Sequence, residues 1–242
     1  MIWFKTWVES RQRFLLASAA VLLAVAWAVL NCDEAMRRFD QRPPITFSQY
    51  VWYVYAGRFQ LVWAASALFL GLGGLLRERA FGTAQYTLSL PVTRRQWVAA
   101  RAIIGLCEAA VLAVIPVIAI PVAARMVGRA YPAFEALKLS GVLLGAGIVF
   151  FFLGVFYSLL VEGEFTSMIA GLFSIYLIFT SQDYLYRWLP YFSMGRLLSG
   201  ADVVDRATGF LTAFPWSGML KSLVAAALLY VSAREITAHR DF

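Results

Sequence analysis

Glu108 stands among Ile103, Ile104, Gly105, Leu106 and Cys107 on one side and Ala109, Ala110, Val111 and Leu112 on the other. An ionised carboxylate in such surroundings costs several kcal/mol unless it is paired or wetted, so it marks a functional site by default. Arg101 lies two helical turns earlier on the same face. The pair is a candidate for the transport path or for switching; a structural partner on another helix is the competing reading. Other chemistry-bearing residues are sparse. Cys32 and Cys107 are the only cysteines and His239 the only histidine, which speaks against a disulfide framework and an ordinary zinc site. Neither a phosphate-cradling G-x-x-x-x-G-K-[ST] nor a zinc-binding H-E-x-x-H is present. An intramembrane serine hydrolase needs Ser and His together at membrane depth, and His239 is far from any apolar run's centre. Asp202-Val203-Val204-Asp205 is a lone D-x-x-D, too little for a metal.

The elements that must position Glu108 follow from composition. Of the 242 residues, 61% are hydrophobic and 14% charged. Soluble domains carry roughly 45–50% and about 25%. One globule cannot hide that much apolar surface, so the expected solvent is lipid. Lipid gives the backbone no hydrogen-bond partners, so the spans must be helices. Each needs about 20 mostly apolar residues. Six stretches qualify: 14–30, 59–76, 97–124, 139–160, 166–180 and 217–233. The reading is an all-α polytopic membrane protein of six transmembrane helices in one domain over 1–242.

Residues 2–13 place Trp3, Phe4, Trp7 and Val8 on one helical face and Lys5, Glu9, Gln12 and Arg13 on the other. This predicts an N-terminal amphipathic helix on the membrane surface, leading to an uncleaved first span. Pro116 and Pro121 make span three a candidate hinge. Gly141 and Gly145 permit close helix approach, within the chain or between copies. Trp52, Tyr53, Tyr55 and Arg58 read as an interfacial belt, as do the aromatics of 181–216. The formal charge is +7, but Lys and Arg are scattered between the apolar runs, which fits lipid head groups better than nucleic acid. Arg77, Arg79, Arg94, Arg95 and Arg101 turn the connection between spans two and three, and with it both termini, toward the cytoplasm; Arg37, Arg38, Arg42, Arg125, Arg129 and Lys138 oppose that assignment.

That connection carries the most specific signal. Phe81, Ala84 and Leu88 form one helical stripe, and Pro91 stops it sharply. The expected element is a short coupling helix at the cytoplasmic surface, within 77–95. Here Glu78, then Gly82-Thr83, then Leu88-Ser89-Leu90-Pro91-Val92-Thr93-Arg94 resembles the hallmark of ATP-binding-cassette (ABC) permeases of the type-two exporter family. Six spans, the amphipathic leader, a longer outer segment and a basic tail are similar too.

The resemblance implies the membrane half of an exporter in a bacterial inner membrane. A second permease copy, identical or paralogous, would complete the path. A separate ATPase subunit would bind ATP and Mg, leaving this chain with no cofactor and no catalytic role. Arg77, Glu78, Phe81, Gly82, Thr83, Leu88, Leu90 and Pro91 would meet the ATPase, with Glu162 and Glu164 as a second touch point. The 181–216 segment would form re-entrant helices capping the path from outside. The alternatives are an ion-coupled secondary transporter, for which no convincing inverted repeat is visible, and a membrane-embedded lipid-modifying enzyme, for which clustered acids or histidines are missing.

Overall fold

The computed structural model describes residues 2–38, 45–72, 93–161, 163–181 and 194–239. Those residues are overwhelmingly helical. The first rod, α1, is Ile2–Leu30, followed by the short α2, Cys32–Arg38. The second rod runs without a break through α3 (Phe47–Val54), a π-helical turn (Tyr55–Phe59) and α4 (Gln60–Gly71). Then come α5 (Arg94–Met126), α6 (Ala133–Leu160), α7 (Glu164–Thr180), the short α8 (Met194–Ser199) and α9 (Trp216–His239). Trp3–Leu30, Gln96–Met126, Ala133–Leu160 and Trp216–Ala238 are long and apolar enough to cross a membrane, and Phe165–Thr180 is a shorter apolar helix. The chain is an integral membrane protein by this measure.

Contacts between rods fix their directions. Arg13 meets Leu72, and Tyr50 Oη donates to the Ala28 carbonyl at 2.8 Å, so the second rod runs antiparallel to α1. Gly71 faces Gly154, and Trp63 lies over Gly147, which sets α6 parallel to that rod. Tyr157 and Ser174 share a 2.6 Å hydrogen bond across α6 and α7. Ser222 Oγ donates to the Ala146 carbonyl at 2.5 Å, and Tyr230 packs on Phe152, so α9 returns alongside α6. Residues 2, 72, 93, 161, 163 and 239 therefore gather at one end of the bundle. Residues 30, 47, 126, 133, 180 and 216 gather at the other. We call these the near and far ends.

Helix α6 is the hub, touching α4, α5, α7, α8 and α9. Its small residues explain how. Cβ atoms added at Gly141 and Gly145 would meet Phe214 and Met219, so this pair serves packing within the chain against the approach to α9. A Cβ at Gly154 would strike the Leu68 carbonyl and the Gly71 Cα, so α4 and α6 cross backbone to backbone.

Several boundaries differ from the sequence expectation. The leader 2–13 and the first span are one continuous helix, since no Gly or Pro interrupts 9–16. The second rod starts at Phe47, far ahead of residue 59, and its helix stops at Gly71, where Leu72 turns extended (ψ 160°). Tyr55 is no belt residue: it is 2% exposed, and its hydroxyl donates to the Leu139 carbonyl at 2.6 Å. Trp52 Nε1 donates to the Ser199 carbonyl at 2.9 Å. Pro116 and Pro121 lie inside α5, which stays helical through both.

The described part of the outer segment is α8 and a loop closed by an antiparallel bridge between Val204 and Leu211. Asp202 pairs with Arg196 at 2.5 Å. Asp205 accepts from the Ala207 N–H at 2.9 Å and from Thr208 Oγ1 at 2.8 Å, which holds its carboxyl below the usual range. Both acids thus build the loop, and the loop docks on α3 through Ser48 and Gln49.

The α4–α6 crossing yields a test. Gly154→Val should lower stability by about 1–3 kcal/mol, the usual cost of overpacking, because only backbone could move aside. Gly145→Ala meets a flexible Met219 instead and should cost less. Thermal unfolding of the purified chain in detergent measures both.

Candidate functional site

The near end brings together residues that are distant in sequence. The second rod ends at Gly71, leaving carbonyls without intrahelical donors. Arg13 Nη1 from α1 and Arg101 Nη2 from α5 both donate to the Leu72 carbonyl. Cations suit this place, since a helix C-terminus carries partial negative charge. Each guanidinium also rests on an aromatic ring: Arg13 lies 5.8 Å from the Phe69 centroid, and Arg101 6.0 Å from that of Trp97.

Glu108 adjoins this clamp. It is 3% exposed, and Ser10 Oγ donates to its Oε1. Oε2 is buried with no hydrogen-bond donor. The site therefore joins one carboxylate, two guanidiniums, one hydroxyl and one backbone carbonyl from three rods. Its carboxylate retains acceptor capacity in a desolvated setting, the property that lets such a group take a proton or exchange partners when helices shift.

Sequence reasoning named Arg101 and Glu108, and the structure places both here. Ser10 and Arg13 were missed. The amphipathic pattern assigns Arg13 to the polar face of a surface helix, yet it is 6% exposed. A signal was present: Thr6, Arg13, Ala17, Val21 and Val25 are buried along one stripe of α1, while the bulkier Trp3, Phe4, Leu15, Leu16, Leu22 and Leu23 face outward. Small and polar inside, large and apolar outside, is the pattern of a helix bounded by lipid.

Arg77, Glu78, Phe81, Gly82, Thr83, Leu88, Leu90 and Pro91, expected to meet an ATPase, lie outside the described residues, as does Glu162. Glu164 is the first residue of α7; its side chain is outside the description as well. Leu72 and Thr93 flank the segment between the second rod and α5. Leu72 sits under the two arginines, and Thr93 opens α5 with a capping box: its Oγ1 accepts from the Gln96 N–H at 3.2 Å, and Gln96 Oε1 accepts from the Thr93 N–H at 2.9 Å.

Comparison of the chain with known protein families, curated proteins and solved structures finds no match.

Two substitutions probe the cluster. Arg13→Leu removes a charged donor from the Leu72 carbonyl and should cost about 1.5–3 kcal/mol; Arg13→Lys should recover part of it. Thermal midpoints in detergent report both. Glu108→Gln keeps the shape and the Oε1 acceptor, so the chain should still assemble, with unchanged elution on size-exclusion chromatography. Loss of transport in that intact variant identifies a working carboxylate, and loss of assembly identifies a structural one.

Proposed function

We propose that this chain is the membrane-spanning permease subunit of an ABC exporter, with six spans, and that a separate ATPase subunit drives it. The observation carrying this reading is the Glu78 to Arg95 stretch. Its spacing of Glu, Gly-Thr and Leu-x-x-Pro-Val-Thr resembles the hallmark of type-two exporter permeases.

The geometry of its attachment points supports the reading. The segment leaves at Leu72 and returns at Thr93, both at the near end, where α6 ends and α7 begins. A soluble subunit gripping the segment would push on α1 and α5 at once, because Arg13 and Arg101 hold the Leu72 carbonyl. The near end is then cytoplasmic, in a bacterial inner membrane, with both termini on that side. Ion pairs relieve part of the opposing charge at the far end: Arg129 pairs with Asp33 at 2.6 Å, and Lys138 with Glu135 at 2.8 Å. ATP and Mg belong to the partner. A second permease copy, identical or paralogous, completes the path.

The uncapped oxygen of Glu108 favours a second reading, an ion-coupled transporter in which that carboxylate carries the coupling proton. The two readings part on energy source. Co-expression with an ATPase encoded by a neighbouring gene should yield a complex whose ATP hydrolysis is accelerated by cargo. Uptake driven by an ion gradient in vesicles holding the chain alone would overturn the exporter reading. Replacing Glu162 and Glu164 together by Lys should weaken co-purification by about tenfold, as expected for charge reversal at a contact. Unchanged assembly and an unchanged ATPase rate would remove that turn from the contact.

A further inference from the structure

A separate cavity opens toward the far end, between the last turns of α1, α2 and the first half of the second rod. Its volume is about 400 Å³, within the ~300–1,000 Å³ common for small-molecule sites. Trp27, Tyr53 and Val54 give it an aromatic and apolar wall; Glu34 and Arg58 supply two charges of opposite sign.

Local backbone makes the room. The π turn at Tyr55–Phe59 admits an extra residue into the helix, a feature that recurs at functional sites. Gly57 stands within that turn and lines the cavity, and a Cβ built there meets nothing within 4 Å. The Arg58 guanidinium is held over the Trp27 ring, 5.8 Å from its centroid, while the residue stays exposed. A planar cation fixed in this way can still present a fork of N–H donors that matches a phosphate. Outside the cavity, Leu23 and Leu30 on α1 and Leu61 on the second rod expose large apolar surface. An occupant thus meets a polar chamber beside a greasy flank.

We propose that this cavity seats the head group of an amine-bearing zwitterionic phospholipid, its phosphate on Arg58, its ammonium toward Glu34 and its acyl chains along Leu23 and Leu61. One acid and one base give the chamber no net formal charge. A purely anionic head would face Glu34, and a purely cationic one would face Arg58. The proposal stands independently of the exporter reading, since it requires neither an ATPase nor transport.

The test is photolabelling of the full chain in lipid nanodiscs. Separate preparations carry photoactivatable phosphatidylethanolamine or phosphatidylglycerol, and labelled peptides are mapped. Phosphatidylethanolamine should label peptides around Trp27 and Gly57 preferentially. Gly57→Leu should abolish that labelling by filling the chamber, while leaving the thermal midpoint nearly unchanged because the new side chain enters open space. Arg58→Gln should reduce it by about tenfold, the effect of losing one charged hydrogen bond. Glu34→Gln should erase the preference over phosphatidylglycerol. Millimolar phosphoethanolamine separates two sources of the same chemistry. Competition means that the head group alone suffices, and resistance assigns the occupant to the intact lipid; either result, with cavity-dependent labelling, supports the site. Equal labelling by both lipids, or labelling indifferent to both Gly57→Leu and Arg58→Gln, would overturn it.

Discussion

One carbonyl organises the near end of this protein. Leu72 closes the second rod where helical hydrogen bonding stops, and burial withholds water as a substitute acceptor or donor. Two guanidiniums reach that oxygen from different helices. A single donor would satisfy the carbonyl. Two donors tie α1, α4 and α5 into one unit, and their positive charge also makes the neighbourhood habitable for Glu108. Removing either arginine therefore touches three rods and a carboxylate at once.

The remainder of the bundle is built by contrast. Large side chains on α1, α5 and α7 point outward, while glycine, alanine and serine let α6 approach its neighbours closely. Some buried hydroxyls are satisfied within the helices or across them, as those of Ser158, Ser167 and Ser222 are, whereas Ser140 Oγ has no partner. This arrangement suits a solvent that competes for apolar contact but offers no hydrogen bonds, so that close packing and satisfied polar groups do the holding.

Much of this architecture was legible in the residues. The apolar runs ending near Leu30, Met126 and Leu160 mark four helices that are long and apolar enough to cross a membrane, together with the α9 run, and Glu108 declared itself by being an acid in an apolar run. Boundaries were less legible, because a run of hydrophobicity reports contact with lipid and does not report where a helix begins. Phe47–Val54 is helical although it is richer in polar and aromatic residues, since Tyr50 and Tyr55 find carbonyl acceptors on other helices. Thr46 with Gln49, and Thr93 with Gln96, were better start signals; both pairs form capping boxes. The stripe on α1 hints that Arg13 faces inward, but its partner is not legible, because it is a backbone oxygen 59 positions away that carries no side-chain signature.

The π turn has one more consequence. An inserted residue rotates everything beyond it by about 100° around the axis. The second rod thus shows two differently keyed surfaces. The segment before Tyr55 engages the far-end loop through Gln49 and α8 through Trp52, and the segment after Phe59 engages α6, through Trp63 and Leu68. Deleting a single position between them would restore an even ladder yet put those two surfaces out of phase, so the apparent irregularity is the phase adjustment that lets one helix serve two neighbours.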